Sequence, residues 1–188
     1  MKTVSLLTAS ALVLAVVAFS SLPAKAQLRD ISQEISFSER NLGGPRLGVT
    51  YITEGGNGEL VKKLKDKGIG TAISQFGWHF EYQIIPEGGG PQFVIQAIPF
   101  LGGVEYGTVI PSLTVAMGIR LPEGYEFGLG PNVIDGGAKG ANTALVAAIG
   151  KSFNYGGVSI PINIAIATSP AGNRVSLVFG YAIAGPTK

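Results

Sequence analysis

Gln75-Phe76-Gly77-Trp78-His79-Phe80-Glu81-Tyr82-Gln83-Ile84 places a bulky apolar side chain at every second position, with a polar or small one between. Period two is the geometry of a β-strand, whose successive side chains point to opposite faces. The same form returns in Val158, Ile160, Ile162, Ile164 and Ile166, set against Ser159, Pro161, Asn163, Ala165 and Ala167. It returns again in Val175, Leu177, Phe179, Tyr181 and Ile183, set against Ser176, Val178, Gly180 and Ala182. Working outward between clusters of Gly, Pro and Asn gives eight strands, over residues 45–54, 70–85, 91–103, 106–121, 124–133, 142–154, 157–168 and 173–184. Residues 152–173 carry no charge, yet Gly156-Gly157, Pro161 and the Ile/small alternation assign them to strands rather than to a membrane helix. One helical stretch, Glu59 to Lys67, sits in the first long connection, with Leu60, Val61 and Leu64 on one side.

The two faces of these strands decide the architecture. A soluble sandwich or barrel turns its bulky residues inward and coats the other face with Lys, Glu, Asp and Arg. Here the second face is mostly Gly, Ala, Ser, Thr and Asn, and charge is scarce along the strands. The inverse assignment fits: an apolar wall facing lipid around a narrow lumen of small and polar side chains. The expected fold is therefore all-β, an eight-stranded antiparallel up-and-down β-barrel over 45–184 with a short helix in its first long loop. Closure pairs every backbone group, as hydrocarbon demands. Pro99, Pro111 and Pro161 have no edge strand to shelter them and are expected near a rim or bulge.

Composition sets the compartment. Residues 1–26 hold no glycine and no acidic residue, and run from Lys2 through an apolar stretch to Pro23 and Ala24-Lys25-Ala26. That is the form of a secretory signal peptide cleaved before Gln27, with an uncleaved membrane anchor as the alternative. All 28 glycines follow it. Setting aside Lys2 and Lys25, the 12 acidic residues are matched by as many basic ones, which argues against nucleic acid as a partner. There is no cysteine, hence no disulfide, thiolate metal site or N-terminal lipid anchor. Residues 27–44 read as a charged lead-in ending at Gly43-Gly44-Pro45, and 185–188 as a tail.

With the alternating runs Phe76–Ile84, Val158–Ile166 and Val175–Ile183 phased in this way, residues 45–184 resemble the small eight-stranded outer-membrane β-barrel proteins of Gram-negative bacteria. The resemblance rests on architecture and alternation, not on a diagnostic motif. It implies an outer-membrane location, lipid contact, possible contact with lipopolysaccharide, and insertion by the barrel-assembly machinery. Such proteins usually end on an aromatic residue, whereas this sequence passes Phe179 and Tyr181 to Gly185-Pro186-Thr187-Lys188.

Phasing the small face inward puts Arg46, Glu81, Arg120 and Glu126 toward the lumen, near one end of the barrel. Two readings stand: a two-Arg, two-Glu network closing the pore, or four charges at a solvated rim. Lys62, Lys63, Lys65 and Lys67 are candidates for contact with an anionic surface, or simply the solvated face of a loop helix. His79 is the only histidine, and without cysteine it does not make a zinc site; a lumen hydrogen bond is its ordinary role. Gly157-Val158-Ser159-Ile160-Pro161 lacks the last glycine of a nucleophile elbow and precedes a strand. Gly150-Lys151-Ser152 lacks the first glycine of a phosphate loop. No catalytic set, metal site or cofactor is expected. The expected function is a non-enzymatic outer-membrane barrel with a structural, surface-interaction or minor permeation role. The alternative is a soluble barrel, periplasmic or secreted, with Phe76, Trp78 and Phe80 lining an apolar ligand cavity.

Overall fold

In the computed structural model of the chain, residues 36–53, 58–135 and 140–184 are described. Their strands are β1 (Phe37–Thr53), β2 (Ala72–Pro86), β3 (Gln92–Gly102), β4 (Ile110–Arg120), β5 (Tyr125–Ile134), β6 (Asn142–Tyr155), β7 (Val158–Ser169), β8 (Gly172–Gly180) and the short β9 (Ala182–Ala184). From β1 to β8 each strand pairs antiparallel with the next, and β1 pairs with both β2 and β8, so the sheet closes into a ring. β9 extends β8 as one eighth strand: Ile183 lies opposite Gly43 on one side and Val158 on the other. The lapse between them falls at Tyr181, which donates to the Pro45 carbonyl at 3.3 Å; Pro45 has no N–H to return.

The other lapses have the same cause. The β2–β3 ladder is missing between Gly77↔Phe100 and Phe80↔Ala97, which brackets Pro99. The β4–β5 ladder is missing between Thr114↔Asn132 and Met117↔Leu129, which brackets Pro131. Prolines thus sit in the closed wall at the cost of single ladder bonds, without shifting the register. Close approach of neighbouring strands at these places makes glycine obligatory. A Cβ on Gly77 would stand 2.0 Å from the Pro99 carbonyl oxygen, and one on Gly44 2.0 Å from that of Tyr181.

The faces fall as the alternation predicts. Phe76, Trp78, Phe80, Leu129, Ile149, Ile164, Ile166 and Leu177 are exposed on the outer wall, while Arg46, Thr50, His79, Glu81, Gln83, Arg120, Glu126, Asn132 and Arg174 are buried in the lumen. The placement of Phe76, Trp78 and Phe80 outside the wall overturns the alternative in which they line an apolar cavity.

Two strand starts differ from the sequence reading by more than two residues. β1 begins at Phe37, so 37–44 belong to the barrel rather than to a lead-in; Phe37 pairs with Pro86 and Gly44 with His79. The Gly43-Gly44-Pro45 run reads locally as a terminator, but Gly44 is there because Tyr181 approaches it. β4 begins at Ile110, not 106, because Val104–Tyr106 form a 3-10 turn between left-handed Gly103 and Gly107. Residues 1–26, the rest of the lead-in and 185–188 lie outside the described residues.

The two ends of the barrel are unlike. At one, the turn end, β2–β3, β4–β5 and β6–β7 are joined by short turns. At the other, the helix end, the β1–β2 connection carries α1 (Glu59–Asp66). Leu60 N–H donates to the Ala171 carbonyl of the β7–β8 turn at 2.9 Å, which holds α1 over the mouth. There Val61, Leu64 and Ile69 pack with Ile52 of β1 and Ile73 of β2, flanked by Leu60 and Ile110. This apolar plug fills the β1–β2 side of the helix end. Among the described residues no helix is long and apolar enough to cross a membrane.

Candidate functional site

Period two carries Arg46 of β1, His79, Glu81 and Gln83 of β2, Arg120 of β4 and Glu126 of β5 onto the lumen face, and the ring brings them together. Arg120 grips Glu81 with both terminal nitrogens, Nη1 to Oε1 at 2.6 Å and Nη2 to Oε2 at 2.8 Å. Its Nε donates to Glu126 Oε1 at 3.0 Å. This forked geometry makes the strongest kind of side-chain ion pair. Glu81 also accepts from Gln83, from Gln96 Nε2 at 2.8 Å and from His79 Nε2 at 3.2 Å. Glu126 accepts from Ser152 and, at 3.5 Å, from Asn163 Nδ2. The side chain of Glu81 is fully buried. A carboxylate in that position is stable only because its oxygens are saturated with donors.

Arg46 joins through the histidine rather than through a carboxylate. Its Nη2 lies 2.8 Å from His79 Nδ1, and its Nη1 donates to the Tyr181 carbonyl at 3.2 Å. Because a guanidinium only donates, His79 Nδ1 must accept, which leaves the imidazole proton on Nε2 for Glu81. The neutral Nε2–H tautomer is the one that satisfies both neighbours. The four charges read from the sequence are therefore a network and not a solvated rim, and His79 is its missing fifth member.

The network forms a septum. On its helix side lies a lumen cavity of about 110 Å³, walled in part by Arg46, His79 and Glu126. On its turn side a second cavity, of about 340 Å³, is bounded by Arg120, Arg40 and Gln92. Gln83, which lines the second cavity, leaves its Oε1 without a partner. Within the first cavity Thr50 donates to Gln75 Oε1 at 2.9 Å and pairs with Ser176 at 2.7 Å. Arg174 reaches from β8 to Asn132 Oδ1 of β5 at 3.0 Å, a strut across the lumen. Sequence reasoning passed over Arg174. The signal was its parity with Ser176 and Gly180 on the small face, masked by its place at the first turn of a strand.

The basic stretch is placed on α1. Lys62, Lys65 and Lys67 are exposed, on the side away from the plug; the Lys63 side chain lies outside the described set. Lys151 sits on the outer wall near the turn end, its Nζ 4.5 Å from the Tyr125 ring centre, an aromatic anchor for a snorkelling cation. At the helix end, Glu105 accepts from Ser74 N–H at 2.6 Å and Ser74 Oγ at 2.5 Å. These bonds hold its carboxyl below the usual range. Among the described residues no cluster of three or more His, Cys, Asp and Glu side chains is arranged to hold a metal ion.

No family model and no curated protein matches the chain. Among solved structures it is similar to Ail, the attachment invasion locus protein of Yersinia pestis. Against Ail crystallised with the heparin analogue sucrose octasulfate, identity is 12%, coverage is 77% of this chain and 97% of that one, and the TM-score is 0.44. Against a second crystal structure of Ail, identity is 10%, coverage is the same, and the TM-score is 0.39. Likeness at this distance adds nothing to the closed ring already traced.

Proposed function

We propose that the chain is a non-enzymatic outer-membrane β-barrel that acts at the cell surface, with its lumen held shut. The observation that carries this reading is the inversion of the barrel: ionic groups are buried in the lumen and large apolar side chains cover the outside. In water that wall would be an apolar patch far beyond what monomeric soluble proteins expose; in lipid it is the expected surface. Aromatic residues such as Tyr51 at the helix end, and Tyr125 and Tyr155 at the turn end, suit an interfacial girdle. The short turns then face the periplasm, and α1 with the longer connections faces outward.

Surface contact is favoured over permeation because the septum spans the lumen and the α1 plug narrows its helix end. Lys62, Lys65 and Lys67 on the outer side of α1 suit the phosphates of lipopolysaccharide or another anionic partner. Insertion would require the barrel-assembly machinery. Neither Glu81 nor Glu126 is left free for proton transfer, which supports a non-enzymatic role. Membrane fractionation combined with gel migration before and after heating tests the reading. A mature protein that partitions with the outer membrane and shifts on boiling is expected; recovery in the soluble fraction without detergent would overturn it.

A further inference from the structure

We propose that the lumen cavity on the helix side of the septum is a binding site for one small monovalent anion, a halide or short carboxylate, held by Arg174. Three observations converge on it. Arg174 is more than nine-tenths buried and lines that cavity. Its one described side-chain partner is the neutral Asn132 Oδ1, at 3.0 Å, and its cross-strand neighbours are Ile52 and Ala167. The wall beside it, Ala144, Val146 and Ala167, is one of the two apolar clusters of the described fold. A guanidinium buried among such groups is costly unless a negative charge faces it.

Among the described residues, the carboxylates of the lumen are not available for that purpose. Glu81 and Glu126 are both engaged by Arg120. Glu126 also lines the cavity, but its oxygens are taken by Arg120, Ser152 and Asn163. With His79 neutral, as its two neighbours require, Arg46, Arg120 and Arg174 exceed Glu81 and Glu126 by one positive charge among the described buried groups of the lumen. One monovalent anion restores neutrality. The cavity, at about 110 Å³, admits an ion of a few heavy atoms and excludes a sugar acid or an oligosaccharide. Ser112 of β4 and Ser176 of β8 also line the cavity and bring hydroxyl groups to it.

The site follows from the lumen alone and does not depend on the membrane reading. The protein, folded in detergent micelles, is unfolded by heat while bromide or formate replaces gluconate at constant ionic strength. Gluconate is too large for the cavity and serves as the reference. A saturable rise in the unfolding midpoint with bromide and with formate is expected, and Arg174→Gln should weaken the apparent affinity roughly tenfold or more. No dependence in the wild-type protein, an undiminished dependence in Arg174→Gln, or a larger effect of sulfate than of bromide would overturn the proposal. Should Arg174→Gln fail to fold, crystals of the wild-type protein grown in bromide decide the matter. Anomalous density beside the Arg174 guanidinium supports the site, and its absence there refutes it.

Discussion

The two closures of the lumen use opposite chemistry in one tube. At the helix end, Ile52, Val61, Leu64, Ile69 and Ile73 exclude water by apolar packing. Further in, Glu81, Arg120, Glu126, His79 and Arg46 form a septum of charges. The plug is supplied by a loop helix and can be lost without opening the wall. Septum groups come from four strands, β1, β2, β4 and β5, so loosening it loosens the wall. Apolar contact is non-directional and tolerates change. An ion network buried in the lumen does not, because removing one partner strands the rest.

The largest effect is expected at Glu81. Glu81→Gln removes the charge that meets Arg120 and leaves two guanidiniums facing one carboxylate, which should cost about 3–5 kcal/mol in urea unfolding of the folded barrel. Leu64→Ala, in the plug, should cost about 2 kcal/mol locally. It should appear as faster proteolysis of the β1–β2 connection with little change in the unfolding midpoint of the wall. A fall in global stability equal to that of Glu81→Gln would erase the distinction between the closures. Because the closures lie in series, each single variant should leave a planar bilayer without appreciable conductance, while the double variant conducts.

His79 gives a finer probe. Gln presents both an acceptor for Arg46 and a donor for Glu81, so His79→Gln should cost about 1 kcal/mol. His79→Leu offers neither and should cost distinctly more. Equal losses would mean that His79 fills space rather than bridging the network. The smallest effect is expected outside the wall, at the helix end. The Glu105 carboxyl is depressed by its bonds from Ser74, so its contribution is present above the ordinary carboxylate range and is lost as pH falls through the depressed value. Ser74→Ala, which removes the hydroxyl donor and keeps the backbone N–H, should weaken that acid-side dependence in amide-exchange protection of the β3–β4 connection, leaving the septum unchanged.

Much of the barrel was legible because a strand's side-chain period is a property of the backbone. Ile160, Ile162, Ile164 and Ile166 face outward wherever β7 is placed, and Asn163 and Ala165 face inward. The start of β1 was not legible, since Gly43-Gly44-Pro45 carries the same letters whether it ends a strand or admits Tyr181 against it. Likewise, Leu60, Val61 and Leu64 mark an amphipathic helix in the sequence, but nothing local says that its apolar face meets Ile52 and Ile73.

The sequence by itself determined that alternate residues part company, apolar outward and small or polar inward, and that Arg46, Glu81, Arg120 and Glu126 belong to the inside. Only the closed ring decided who meets whom. Strand stagger set Arg120 against Glu81 and Glu126 together, put His79 between Arg46 and Glu81, and left Arg174 across the lumen from Asn132 with no carboxylate among the described residues. Facing is fixed by neighbours two residues apart along the chain, whereas level along the barrel axis depends on the register of every strand in the ring.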